Sequence, residues 1–220
     1  MDLEPESIQT FELNYISTLS SRLTLNASIF RNTLDKLITR VVDFDDQGNY
    51  LSWSGNAGKM VTHGIEVSLN TEPLDNFRIE LSGTIQKTDD KRDDFEDITV
   101  AYSPKFLGYM KTSYRSEKFT LAVTGNYVGS METFWDETKP DPDGIPPKGV
   151  RLGEKVAGYF VLGANVRLHD LLLDGLFLNI RCSNLLDEEI RYPTFTNNDW
   201  AARGTIGIGR TFLVTLGYKF

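Results

Sequence analysis

Apolar and polar side chains alternate with a period of two through most of this chain, and that period constrains the fold more than any other feature. Successive side chains of a β-strand point to opposite faces of a sheet, so the alternation predicts strands. The segment 22–30 departs from it once, since Phe30 falls among polar residues. About nine such segments occur, at 10–15, 22–30, 64–70, 77–86, 105–114, 118–127, 158–168, 176–183 and 209–220.

Composition excludes several classes of protein. No stretch approaches the roughly 18 consecutive apolar residues of a membrane helix, and no sustained 3.6-residue apolar period predicts helices. The mean hydropathy of -0.28 suits a membrane β-barrel, whose strands are apolar on one face only. The net charge of -8 argues against a nucleic-acid partner, because a phosphate-binding surface is basic. The sequence therefore predicts an all-β fold, an antiparallel transmembrane β-barrel portion.

Short and long connections alternate along the chain. The short turns are predicted near 18–21, 72–76, 115–118 and 169–175, and the long loops near 33–60, 88–102, 131–156 and 186–207. Outer-membrane barrels have short periplasmic turns and long extracellular loops. The alternation therefore predicts a location in the bacterial outer membrane, with membrane lipid around the strands and the long loops outside.

Several short motifs follow one another in a fixed order. They are Leu3-Glu4-Pro5-Glu6 with Glu12, Leu25–Ile38, Asn56-Ala57-Gly58 with His63-Gly64-Ile65-Glu66, Asn184-Leu185-Leu186-Asp187 through Tyr192, and Gly209-Arg210 before the last strand. In this order they resemble the β-barrel of TonB-dependent outer-membrane receptors over essentially the whole chain. The resemblance implies a larger barrel of about 22 strands, filled by a plug domain. Residues 1–220 would be the C-terminal segment of that barrel, with the plug domain and the signal peptide absent.

The same resemblance implies a receptor and transporter. Such a protein binds a scarce nutrient and passes it inward when the TonB energy-transducing complex pulls on the plug. A ferric siderophore is the first candidate, and vitamin B12, haem or a glycan are other small nutrient ligands of the class. No enzyme and no cofactor are expected, because the sequence lacks Gly-x-Ser-x-Gly, His-Glu-x-x-His and phosphate-binding glycine motifs.

Two alternatives belong to other functional classes. A soluble lipocalin-like β-barrel that binds a small hydrophobic ligand would place Phe77, Ile79 and Leu81 in its core. A passive porin would share the membrane barrel but would need no plug and no TonB.

Candidate site residues fall into distinct groups. Aromatic and guanidinium side chains in the outer loops can bind an aromatic or ferric ligand, or they can belong to the interfacial aromatic girdle. These loop residues are Trp53, Trp135, Trp200, Arg151, Arg191 and Arg203. Charged residues on the polar face are predicted to face the lumen, namely Glu12, Glu66, Arg78, Glu80, Lys111, Arg167, Arg181 and Lys219. The resemblance implies that the barrel assembly machinery reads Phe220, Tyr218 and Leu216. No metal site is predicted, since the acidic turns Asp43–Gly48 and Asp141–Gly144 fit solvated turns.

Overall fold

In the computed structural model the described residues are 3–44, 47, 50–92, 99–136, 150–193 and 202–220. One nine-stranded antiparallel sheet dominates, in the order β1-β2-β3-β4-β5-β6-β9-β10-β13, and two two-stranded sheets, β7-β8 and β11-β12, stand beside it. The strands are β1 (Ser7–Ser20), β2 (Leu23–Phe44), β3 (Tyr50–Leu74), β4 (Phe77–Asp90), β5 (Phe106–Arg115), β6 (Phe119–Val128), β7 (Trp135–Asp136), β8 (Val150–Arg151), β9 (Tyr159–Leu168), β10 (Leu176–Ser183), β11 (Arg191–Tyr192), β12 (Thr205–Ile206) and β13 (Thr211–Tyr218). Within the described part of the chain, no helix has the length and apolarity to cross a membrane.

The predicted all-β, antiparallel fold is confirmed. Short turns at 21–22, 75–76, 116–118 and 169–175 join one end of the sheet, and the long connections join the other end. Asn76 and Gly175 lie in two of the short turns with positive φ angles of 64° and 87°, which reverse the chain within a few residues.

One predicted loop is wrong. The segment 33–60 was expected to be a long loop, but β2 and β3 continue through most of it and pair from Leu37↔Gly58 to Phe44↔Tyr50. A bulge between Leu34 and Leu37 adds residues to β2 and interrupts the alternation, so the sequence pattern ends there although the strand continues. Most of the turn that closes this hairpin lies outside the described residues.

The sheet has one apolar and one polar face. Leu25, Leu69, Leu81 and Met110 lie opposite one another on adjacent strands and form one row of the apolar face. Leu81 is 44% exposed and Leu216 is 68% exposed, so these leucines do not form a closed core. Buried hydrophobic side chains of the described residues lie instead at or near the long connections, and they are Val61, Met131, Leu152, Val156, Cys182 and Ile190.

Aromatic rings on the polar face lie over glycines. Phe30 is paired with Gly64, and a Cβ on Gly64 would lie 2.7 Å from Cζ of that ring and 2.6 Å from the carbonyl oxygen of Ile85. Phe177 covers Gly217 in the same way. Because glycine has no side chain, an aromatic ring from the neighbouring strand can lie over it. Such a pair helps to fix the register of the two strands. This packing explains why Phe30 breaks the alternation.

Candidate functional site

The β2 bulge lies at the long-loop end of the sheet and is built from two of the sequence motifs. Lys36 has a φ of 58°, a left-handed conformation that turns β2 out of register with β3. Gly58 faces the bulge, and a Cβ there would lie 2.6 Å from Cβ of Leu37. The glycine of the Asn56-Ala57-Gly58 motif is therefore required by the close approach of β2.

The N-terminal motif supplies hydrogen bonds that the bulge leaves unmade. The backbone N–H of Ile38 donates to Oε1 of Glu6 at 2.7 Å. Asn56 donates from Nδ2 to the carbonyl oxygens of Glu4 and Lys36, at 2.8 and 2.7 Å, and its Oδ1 accepts from the backbone N–H of Glu4 at 2.8 Å. An exposed hydrogen bond from Lys36 to the carboxylate of Glu4 lowers the pKa of Glu4. The two motifs thus contact each other and stabilise the rim.

The Asn184-Leu185-Leu186-Asp187 motif forms a second structural link at this rim. Asn184 is 2% exposed, and its Nδ2 donates to the carbonyl oxygen of Glu188 while its Oδ1 accepts from the N–H of Glu188, both at 2.9 Å. Oδ1 of Asp187 accepts from the backbone N–H of Arg210 at 2.9 Å. The motif therefore holds the start of the last long connection to its end, just before β13.

The long connections converge in what we call the loop cluster, which consists of residues 99–103, 129–134, 150–158 and 202–204. The N–H of Tyr102 donates to the carbonyl oxygen of Glu132 at 3.1 Å, and the N–H of Glu154 donates to that of Ala202 at 2.6 Å. Met131 and Val156 form a β-bridge, and both are buried. Three of the long connections are therefore joined above one end of the sheet.

Arg151 holds the loop cluster together from within. Its guanidinium donates to the carbonyl oxygen of Thr133 at 2.7 Å and to that of Thr99. Burial lowers the pKa of Arg151, and the nearby carboxylate of Glu132 opposes that shift. An arginine that is bound to two backbone carbonyls on different loops fixes their relative position.

The other two predicted loop arginines differ in exposure. The side chain of Arg203 is 76% exposed, with Nε 3.9 Å from Oε2 of Glu154. Arg191 lies in β11 opposite Ile206, and its Nε donates to Oε1 of Glu189 at 2.6 Å. The structure thus brings Arg151 and Arg203 together in the loop cluster and places Arg191 in the neighbouring hairpin.

The tryptophans are placed differently from the sequence prediction. Trp53 was expected in a loop, but it lies within β3 opposite Val41, with Nε1 next to Gly55. The strands continue past the bulge although the bulge interrupts the alternation, so the sequence predicted a loop where Trp53 lies in a strand. Trp135 begins β7 opposite Arg151, and its side chain is outside the described part of the chain. Trp200 lies outside the described residues.

The predicted lumen residues share the polar face of the sheet. Glu80 is central to them, with Oε1 at 3.3 Å from both Nζ of Lys111 and Nε of Arg78. The guanidinium of Arg167 stacks on Phe177, 3.8 Å from the ring centroid. By register the same face carries Glu12, Glu66, Arg78, Glu80, Lys111, Arg167 and Arg181.

The polar face has two depressions, one nearer the short turns and one nearer the long loops. A depression of about 880 Å³ at the short-turn end is lined by Arg115, Thr120, Arg167, His169 and Lys219, among other residues. A second depression, of about 340 Å³, lies nearer the long loops between Thr124, Asn165 and Arg181. In the described part of the chain, no group of three or more His, Cys, Asp or Glu side chains is arranged to hold a metal ion.

The chain ends in exposed aromatic residues. Leu216 and Tyr218 lie on the apolar face opposite Leu178 and Leu176. Phe220 is fully exposed, and its ring stands edge-on to Tyr218 at a centroid distance of 5.1 Å. These side chains form a small aromatic group at the short-turn end of the sheet.

A family model described as TonB dependent receptor-like, beta-barrel, matches residues 1–185. The chain belongs to the TonB-dependent receptor family. This is a family of receptors and transporters whose barrels lie in the bacterial outer membrane, and the chain is located there. The soluble lipocalin-like alternative is therefore wrong. No curated protein matched the sequence.

Solved structures of bacterial transporters and import receptors show the same fold. The outer membrane transporter YddB from Escherichia coli is 16% identical, with a TM-score of 0.77, over 100% of this chain and 33% of that one. The ferric citrate transporter FecA is 20% identical, with a TM-score of 0.71, over 98% of this chain and 32% of that one. The ferric-catecholate import receptor Fiu from E. coli K12 is 22% identical, with a TM-score of 0.69, over 99% and 28%. This receptor chain spans about a third of their length and is a partial barrel.

Sequence reasoning missed the roles of Glu6, Asn56 and Asn184 at the rim. Each belongs to a motif that carried the family resemblance, but its hydrogen bonds join residues that are distant in sequence or lie in loops. For Glu6 and Asn184 the signal was a polar residue directly beside the end of a strand, and for Asn56 it was a polar residue next to a glycine within a strand. At such positions backbone groups need side-chain partners.

Proposed function

We propose that residues 1–220 are the C-terminal part of the β-barrel of a receptor for TonB-dependent uptake of a scarce nutrient, a ferric siderophore in the first place. The observation that carries this proposal is the loop cluster, in which long connections from separate strands pack into one body above one end of the sheet. Fiu and FecA, whose folds match, are described as importers of ferric catecholate and ferric citrate. Ferric chelates of this kind are anionic and suit exposed arginine side chains.

The proposed mechanism has no covalent step. The nutrient binds to the outer loops. Once the plug has moved, the nutrient passes along the polar face, which is the water-exposed inner wall of the barrel. TonB acts through the plug region, which would lie in another part of the full receptor and pack against the polar face around Glu80 and the larger depression. The polar face supports this role because charged side chains would be costly against lipid, at about 2–4 kcal/mol for a basic one at the midplane.

The C-terminal residues have a separate proposed role. We propose that Leu216, Tyr218 and Phe220 are recognised by the barrel assembly machinery during insertion. The exposure of Phe220 and its position beside Tyr218 support this, since the ring is accessible for such a contact.

The ligand site can be tested at Arg203. We expect Arg203→Ala in the full-length receptor to weaken binding of ferric catecholate or ferric citrate about tenfold, because removal of an exposed guanidinium leaves an anionic chelate without its partner. Binding can be measured by quenching of intrinsic fluorescence. The matched control is Arg22→Ala, because Arg22 also pairs with an exposed carboxylate, Asp75 at 2.7 Å, but at the opposite end of the sheet.

Equal affinity of both variants for every ferric chelate would contradict the assignment of Arg203.

A passive porin would give a different result in cells. Uptake through a TonB-dependent receptor should stop in a strain that lacks TonB, whereas uptake that continues there would favour the porin.

A further inference from the structure

One row of the apolar face carries basic side chains on three adjacent strands. Arg31 of β2 lies opposite His63 of β3, and His63 lies opposite Lys87 of β4. Phe11 of β1 completes the row beside Arg31. All four side chains are exposed. Neighbouring strands lie about 4.8 Å apart, so the three basic groups fall within roughly 10 Å of one another.

The rest of the apolar face makes this row unusual. From the short turns up to the row, the outward positions of all nine strands bear no charged residue within their described bounds. On β5, β6, β9, β10 and β13 that face carries no charge along the whole strand. Charges on a lipid-facing surface are unfavourable in the hydrocarbon and are tolerated near the interface. A confined basic row therefore points to an interfacial position.

The height of the row agrees with that position. Directly below it, Ile29, Ile65 and Ile85 form an apolar row with exposures of 58%, 49% and 62%. One short turn joins Leu74 at the end of β3 to Phe77 at the start of β4. His63 and Lys87 lie far from that turn along their strands. A tilted strand crosses the hydrocarbon in about 9–11 residues, so the row lies at its outer boundary.

Among the described residues of this face, basic groups outnumber acidic ones at the row. Lys87 contacts Asp89 at 2.7 Å, and that carboxylate is buried, with 3% of the residue exposed. Asp35 is an exposed acid higher on β2, beyond the row, where it pairs with Ser7. The row therefore presents its basic side chains directly above an aliphatic surface.

We propose that Arg31, His63 and Lys87 bind phosphate groups of a lipid in the outer leaflet. The acyl chains of that lipid lie along Ile29, Ile65 and Ile85, and its phosphates meet the basic row. The guanidinium of Arg31 can bind two phosphate oxygens at once, and the ammonium of Lys87 adds a point charge. The inference uses the outer-membrane location and is independent of which nutrient is transported.

Native mass spectrometry of the full-length receptor in detergent tests the proposal with defined probes. The probes are bisphosphorylated lipid A, the same lipid after enzymatic removal of its phosphates, and inorganic phosphate. Arg31→Gln with His63→Gln leaves the Lys87–Asp89 pair intact and should weaken binding of the phosphorylated lipid about fivefold to tenfold. Arg31→Glu alone should weaken it at least as much. The matched control, Arg22→Gln with Lys118→Gln, removes basic groups at the short-turn end and should change nothing.

Each other outcome would overturn the proposal. Unchanged lipid binding by both row variants would show that the row does not hold the phosphate. An equal loss for the dephosphorylated lipid would mean that the variants disturb acyl contacts. Binding of inorganic phosphate as tight as that of the lipid would identify a free anion as the ligand.

Discussion

Leu81→Arg is expected to lower the free energy of unfolding of the full receptor in lipid by about 2–4 kcal/mol, whereas Ser82→Arg should cost less than about 1 kcal/mol. Leu81 lies on the apolar face between Leu69 and Met110, near the middle of β4. A guanidinium there would enter the hydrocarbon. Ser82 lies on the polar face between Ser68 and Tyr109, where an arginine can stay in water.

Denaturant unfolding of the receptor reconstituted in lipid vesicles, followed by tryptophan fluorescence, measures both changes. The two positions are adjacent on one strand and receive the same new residue, so the position along the strand and the strand propensity of the introduced arginine are closely matched. A larger loss for Ser82→Arg than for Leu81→Arg would show that the polar face meets the lipid.

Asn184→Ala is expected to destabilise the outer rim by about 3 kcal/mol. The change removes both hydrogen bonds between the buried side chain of Asn184 and the backbone of Glu188, at a cost of about 1–1.5 kcal/mol each. Asn184 also has a φ of 52°, a conformation that asparagine adopts more readily than alanine.

Hydrogen exchange of residues 184–190 in the full receptor should report this loss as faster exchange. Asn165→Ala is the matched control, because Asn165 donates one side-chain hydrogen bond, to Oδ1 of Asn179 at 3.1 Å on the polar face. That variant should cost about 1 kcal/mol. Similar exchange at 184–190 in both variants would contradict the structural role of Asn184.

The nine strands could be predicted because each one is apolar on one face by itself. A membrane strand needs no partner to show its period, as β13 illustrates with Phe212, Val214, Leu216 and Tyr218 on the same side. The prediction failed at 33–60 because the Lys36 bulge shifts the alternation, and a period of two cannot be followed through an extra residue.

The loop cluster could not be predicted in the same way. Arg151 binds the carbonyl oxygens of Thr99 and Thr133, and backbone carbonyls leave no mark in a sequence. The basic row was hidden for a related reason. Arg31, His63 and Lys87 are isolated exceptions in their own strands, and only the register of three strands places them side by side.

Site-directed spin labelling along β4 tests most directly which face of the sheet meets lipid. Nitroxides would be placed one at a time from Ile79 to Ile85 in the full receptor in bilayers, in a cysteine-free background that includes Cys182→Ala. We predict that oxygen, which partitions into hydrocarbon, collides most with labels at Ile79, Leu81 and Ile85. A water-soluble nickel reagent should favour Glu80, Ser82 and Thr84. The reverse pattern, or no alternation at all, would contradict the account.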